Sequence, residues 1–165
     1  MTVDLMGAAL RVAEDALAAG ELPIGAVVAV GDEIVARAWT RDVGLDRRLA
    51  HAEMLALTEA DSVLGWRPRA GPVRLATTLE PCVMCLGAAM AMRVDEVHYG
   101  LAARADGAVS LLRDWRPHAA MDWYRLPLLH GPSYPDECRA LFRRYVDTMP
   151  DSGFRRWASF TASDA

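Results

Sequence analysis

Apolar residues along this chain switch several times between a helical and an extended period, and that alternation limits the fold more than any other feature of the sequence. From Val3 to Ala19 the positions Leu5, Met6, Ala9, Leu10, Val12, Ala13, Ala16 and Leu17 recur at helical spacing, and Gly20 stops the run. Gly25 to Val30 is a short apolar strand pattern. Gly31-Asp32 makes a turn, and Ile34 to Trp39 is the return arm of a hairpin. Thr40 to Leu49 reads as a polar loop, and His51 to Leu64 as a helix with Met54, Leu55 and Leu57 on its apolar side. Val73 to Thr77 is the next strand. Pro81 then suits the first turn of a helix running through Cys82 to Arg93, and Val97 to Gly100 is again extended. A last strand is expected over Leu126 to Leu129 despite Pro127, followed by a helix over Asp136 to Met149. The tail from Pro150 is ambiguous, although Phe154, Trp157 and Phe160 have helical spacing. Helices alternating with strands predict an α/β sandwich, with helices packed on a central sheet.

Its 165 residues suit one domain, 1–165, that buries its own core, with a C-terminal helical extension from about residue 135. The longest apolar stretches are interrupted by Gly, Arg or Asp well short of the roughly 18 residues a bilayer requires. Met1-Thr2-Val3-Asp4-Leu5 places an acid where a secretion signal carries basic residues, so a cytoplasmic location and no membrane partner are expected. Three cysteines are too few for a disulfide framework, and Cys82 and Cys85 stand three apart, a spacing of metal or redox chemistry. Net charge is −4, which excludes a strong overall field for nucleic acid. All 18 basic residues are Arg, a pattern that genomic codon bias explains as well as function does.

The chemistry concentrates in two short segments, His51-Ala52-Glu53 and Pro81-Cys82-Val83-Met84-Cys85, each at the start of an expected helix. Cysteines at i and i+3 share a helix face, and the dipole at a helix N-terminus favours the thiolate form. With His51 they make a three-ligand zinc set, which leaves a fourth position for water. Glu53 is placed to carry protons for that water. His-x-Glu followed by Pro-Cys-x-x-Cys is the signature of zinc deaminases, in which the glutamate is not a ligand. A dithiol redox pair is the weaker rival, because it gives no reason for the upstream His-Ala-Glu. A closed structural zinc site with one more ligand is the stronger rival; His98 and Cys138 are remote in sequence, and Cys138 reads as core.

With these segments, and with Leu22-Pro23-Ile24-Gly25-Ala26-Val27-Val28 and Ala50-His51-Ala52-Glu53-Met54-Leu55-Ala56-Leu57, the chain resembles the cytidine deaminase superfamily. The branch it resembles holds bacterial tRNA adenosine deaminases and nucleobase deaminases of the guanine type. The resemblance covers about residues 3 to 108. It implies a three-layer α/β/α sandwich around a mixed five-stranded sheet, one Zn2+ per chain and a homodimer. It also implies His51, Cys82 and Cys85 as metal ligands, Glu53 as the catalytic proton carrier, and hydrolysis that releases ammonia. Leu22, Thr40 and Ala52 are the expected substrate contacts.

Many of these relatives carry Asn where this chain has Thr40, and Leu101 to Gly107 lacks the Ala-Arg-Asp spelling common in the tRNA enzymes. The chain also closes without a basic tail, on Thr161 to Ala165. The expected substrate is therefore a small aminated heterocycle, a purine base or nucleoside, with tRNA the less favoured partner. Arg41, Arg47 and Arg48 before His51 read first as a solvated loop and second as a basic patch at the pocket mouth, since Asp42 and Asp46 are interleaved with them. Trp115, Trp123, Tyr124, Tyr134 and Trp157 are assigned to packing before base stacking.

Overall fold

A computed structural model describes residues 3–163, so Asp164-Ala165, part of the ending that lacks a basic tail, lies outside the described residues. Five strands form one mixed sheet in the order β2-β1-β3-β4-β5: β1 (Gly25–Val30), β2 (Glu33–Trp39), β3 (Val73–Leu79), β4 (Glu96–Leu101) and β5 (Leu128–His130). β1 pairs antiparallel with both β2 and β3, while β3–β4 and β4–β5 are parallel. The parallel pairs need crossovers, and helices supply them. The helices are α1 (Leu5–Ala18), α2 (Asp42–Leu45), α3 (Ala52–Leu64), α4 (Val83–Ala91), α5 (Val109–Leu112), α6 (Pro135–Thr148) and α7 (Gly153–Ala162).

Alternation along β1 sorts the two faces. Val27 and Ala29 pack with Leu5, Met6, Ala9 and Val12 of α1, whereas Ala26 and Val28 join Ala56, Leu57 and Ala60 of α3. The sheet thus lies between helices, as the expected three-layer α/β/α sandwich requires. Two glycines mark where helices come closest. A Cβ on Gly25 would stand 2.5 Å from backbone atoms of Ala9 and Ala13 in α1, and one on Gly100 would stand 2.4 Å from Cys138 Sγ in α6. Cys138 is fully buried in that contact, in keeping with its reading as core.

Several boundaries differ from the sequence expectation. Pro81 lies one residue before the N-cap of α4, not in its first turn, because Cys82 adopts the extended backbone of a cap. The final strand is Leu128–His130, shifted past Pro127, which has no N–H to give a ladder. The polar loop after β2 contains the short α2, whose Val43 and Gly44 amides donate to the buried Glu21 carboxylate at 3.1 and 2.6 Å. The ambiguous tail is the helix α7, capped by the Ser152 hydroxyl, which accepts from the Arg155 amide at 3.1 Å. No helix among the described residues is long and apolar enough to cross a membrane.

Candidate active site

The N-termini of α3 and α4 meet beyond the C-terminal end of β3, where ligands of open α/β sheets commonly bind. His51 is the N-cap of α3 and Cys82 the N-cap of α4, both in extended conformation, and neither side chain caps its own helix. Both are therefore free to face one another. His51 Nδ1 lies 3.7 Å from Cys82 Sγ and 3.5 Å from Cys85 Sγ, and the three atoms fall within 4.8 Å of one another. Tetrahedral zinc with bonds of about 2.0–2.3 Å holds its ligands about 3.4–3.8 Å apart, so this donor set fits that ion with little movement.

Electrostatics match the geometry. A hydrogen bond from the Cys85 thiol, helped by His51, draws the Cys82 thiol down to about 4. The hydrogen bond to Cys82 in turn holds His51 up to about 9. Cys85 is pushed in the opposite direction, above the ordinary thiol range, by its bond to Cys82 and by burial. A thiolate beside an imidazolium is a pair whose protons a divalent cation can displace.

Glu53, one residue into α3, is 4% exposed, and burial raises its carboxyl to about 7. Its Oε2 lies 3.6 Å from Cys85 Sγ. A carboxyl that ionises near neutrality beside a metal position is suited to taking and returning a proton.

A cavity of about 600 Å³ opens onto His51, Glu53 and Cys82. Leu22, Ile24, Ala52 and Leu79 form apolar walls, and Leu22, Thr40 and Ala52, the expected substrate contacts, all line it. Thr40 is 1% exposed and its hydroxyl donates to the Ala50 carbonyl at 3.1 Å. That bond ties the end of β2 to the residue before His51, so the hydroxyl is engaged within the protein.

Asp42 and Asp106 also line the cavity, and sequence reasoning singled out neither for that place. Asp42 Oδ1 is buried without a hydrogen-bond partner of its own; burial raises the carboxyl above the usual range, against the lowering influence of the nearby Thr40 hydroxyl. Buried Glu80 accepts from the amides of Ala103 at 3.0 Å and Val109 at 2.9 Å, which fastens the loop that carries Asp106. Glu80 and Glu21 thus anchor the two acidic flanks of the cavity through backbone amides.

The remaining wall comes from the C-terminus: Ser152, Gly153, Phe154 and Trp157. Of the aromatics assigned to packing, Trp157 does both jobs, since it also meets Phe142 edge-on at 5.9 Å. A neighbouring groove lined by Asp42, Asp46, Arg47, Arg48, Leu49, His51 and Phe154 adjoins the cavity. The arginine loop therefore stands at the mouth of the site. Its sequence, with arginines and aspartates interleaved, favoured solvated surface over a basic patch at the pocket mouth, because position relative to His51 depends on the turn at α2.

Residues 2–101 match the family of cytidine and deoxycytidylate deaminase zinc-binding regions, and the chain belongs to that family. It is 45% identical over 96 residues to a tRNA-specific adenosine deaminase of Bacillus subtilis, a match spanning 58% of this chain and 58% of that protein's length. Among solved structures, one from a study of A-to-I editing by tRNA:A34 deaminases superimposes with a TM-score of 0.71 at 30% identity. It covers 83% of this chain and 97% of that one. A guanine deaminase from Nitrosomonas europaea gives 0.68 at 25% identity, over 88% of this chain and 85% of its own.

Proposed function

We propose that this chain is a zinc-dependent hydrolytic deaminase whose substrate is a small aminated heterocycle, a purine base or nucleoside. His51, Cys82 and Cys85 hold the metal, which when bound supplies the Lewis acidity that makes water nucleophilic at neutral pH. Glu53, buried and ionising near 7, takes the two protons of the attacking water in turn, passing one to the ring nitrogen beside the reacting carbon and the other to the departing amino group. The C–N bond to that amino group breaks, a carbonyl forms and ammonia leaves. Leu22, Ile24, Ala52 and Trp157 give the flat ring apolar surfaces and exclude solvent, while Asp42 Oδ1 accepts an N–H of the heterocycle.

The cavity carries this reading. It reaches His51 and Cys82 of the three candidate ligands and Glu53 beside them, which leaves a side open for substrate and argues against a closed structural site. Asp42, Glu53, Glu80 and Asp106 line it, and the described residues put no Arg in its wall. Carboxylates repel phosphate and accept N–H donors, which suits a base edge.

A second reading, deamination of adenosine in tRNA, draws on Arg47 and Arg48 in the adjoining groove and on the similarity to tRNA-acting relatives. Ammonia release from free bases, nucleosides and an anticodon stem-loop separates the two. The expected result is turnover of a purine or its nucleoside with weak dependence on salt. Turnover of the stem-loop alone, falling steeply with salt, would overturn it in favour of RNA. The homodimer implied by the resemblance belongs to the same proposal, and sedimentation velocity reads it directly.

A further inference from the structure

On the α1 side of the sheet, β4 and β5 bring together a second group of ligand-type side chains. The parallel register places His98 beside His130, and Glu96 precedes His98 by two residues on the same face. His98 is also in register with Ala76, which packs under α1, so this face is the one opposite α3 and α4 and the His51 cluster. The two imidazoles stack with centroids 4.6 Å apart and planes 18° from parallel. Glu96 Oε2 lies 3.0 Å from His98 Nε2 and 3.8 Å from His130 Nε2, and all three ligand atoms fall within 4.8 Å of one another.

We infer that Glu96, His98 and His130 form a second binding site for a divalent first-row transition ion of the Zn2+ type. Two imidazoles and one carboxylate are donors that zinc, nickel and copper accept, and calcium and magnesium do not prefer. A tetrahedral ion with bonds of about 2.0–2.2 Å needs donor separations of about 3.3–3.5 Å. The Glu96–His98 edge, at 3.0 Å, need open by only a few tenths of an ångström, and His130, at 3.8 Å from the carboxylate, must move in by a similar amount. Its side chain is 47% exposed, on an edge strand of three residues, so little packing opposes the shift.

The side chains of His98 and Glu96 are 25% and 30% exposed, which leaves room for water to complete the shell. Arg74, the register neighbour of Glu96 on β3, does not compete for the carboxylate. Its guanidinium donates to the Gly31 carbonyl and pairs with Asp32. A bound ion would clip the short β5 to β4, and the site is independent of the proposed catalysis.

The experiment is calorimetric titration of the zinc-loaded protein with further ZnCl2, repeated with CuCl2. One additional equivalent is expected, tighter for copper, as the usual order of divalent affinities demands. His130→Gln and Glu96→Gln should each weaken that equivalent by at least ~10-fold, since loss of even an indirect partner of a metal ligand costs about that much. Zinc at His51, Cys82 and Cys85 should be unchanged. His130 is half-exposed, so His130→Gln is expected to fold, and circular dichroism confirms that the comparison is fair. Absence of a second equivalent in the native chain overturns the site. So does a second equivalent that survives both variants.

Discussion

The floor and the roof of the cavity are built to different standards. The floor consists of His51, Glu53 and Cys82 on two abutting helix N-termini, backed by Cys85, with Glu53 and Cys85 at 4% and 0% exposure. Its flanks are pinned by Glu80 and Glu21 through backbone amides. The roof is the start of α7, whose Phe154 is 41% exposed and faces both the cavity and the arginine groove. Rigid, buried positions hold reacting groups in fixed geometry, whereas a half-exposed edge selects what enters. On the proposed function, the floor carries the chemistry and the roof selects the substrate.

That division can be broken most readily at the metal. Cys82→Ser should lose its bound zinc and, with it, all measurable ammonia release, because a hydroxyl is a poor substitute for a thiolate. Elemental analysis checks this, and a full zinc complement in the variant would remove Cys82 from the ligand set. Next in size, Glu53→Gln should keep its zinc and slow kcat by roughly 10² or more, the usual contribution of a placed proton carrier. Native turnover in that variant would end the assigned role. Loss of zinc instead would make Glu53 a fourth ligand and the site a structural one.

The flank and the roof should give smaller effects, felt in selection before chemistry. Asp42→Asn exchanges a charged acceptor for a neutral amide, and such hydrogen bonds are worth about 1.5–3 kcal/mol. A fall in kcat/KM of about 10-fold or more is expected for substrates presenting N–H donors, at constant zinc content. An equal loss for every base tested would show that Asp42 shapes the site without reading the ring. Phe154→Ala should do least, raising KM about fivefold with kcat nearly unchanged, as expected for one partly exposed stacking contact of about 1 kcal/mol. A collapse of kcat instead would place Phe154 with the floor and erase the contrast.

Much of this was legible before any coordinates, and the reason is local. His51-Ala52-Glu53 and Cys82 to Cys85 each lie within one turn of a helix, and β1, β2 and β3 carry strong apolar periods, so near-neighbour geometry sets them. The features that were not legible depend on distant partners. Asp42 became a cavity residue only because Glu21, far back in the chain, captures the α2 amides. Glu80 stands directly before Pro81-Cys82, yet its purpose lies in the amides of Ala103 and Val109. Trp157 looked like packing because helical spacing reveals one apolar face and not what that face closes over.

By itself, then, the sequence determined the alternation of helices and strands, the donor types for zinc and the carboxylate beside them. Each of these is encoded within a few residues by period, capping and side-chain chemistry. Tertiary structure alone decided that the His51 and cysteine segments face each other at 3.5–3.7 Å, and that α7 closes the cavity. It also decided that Glu96, His98 and His130 converge through the β4–β5 register. Convergence of side chains from separate segments depends on how strands align and helices pack, and no local period records that alignment.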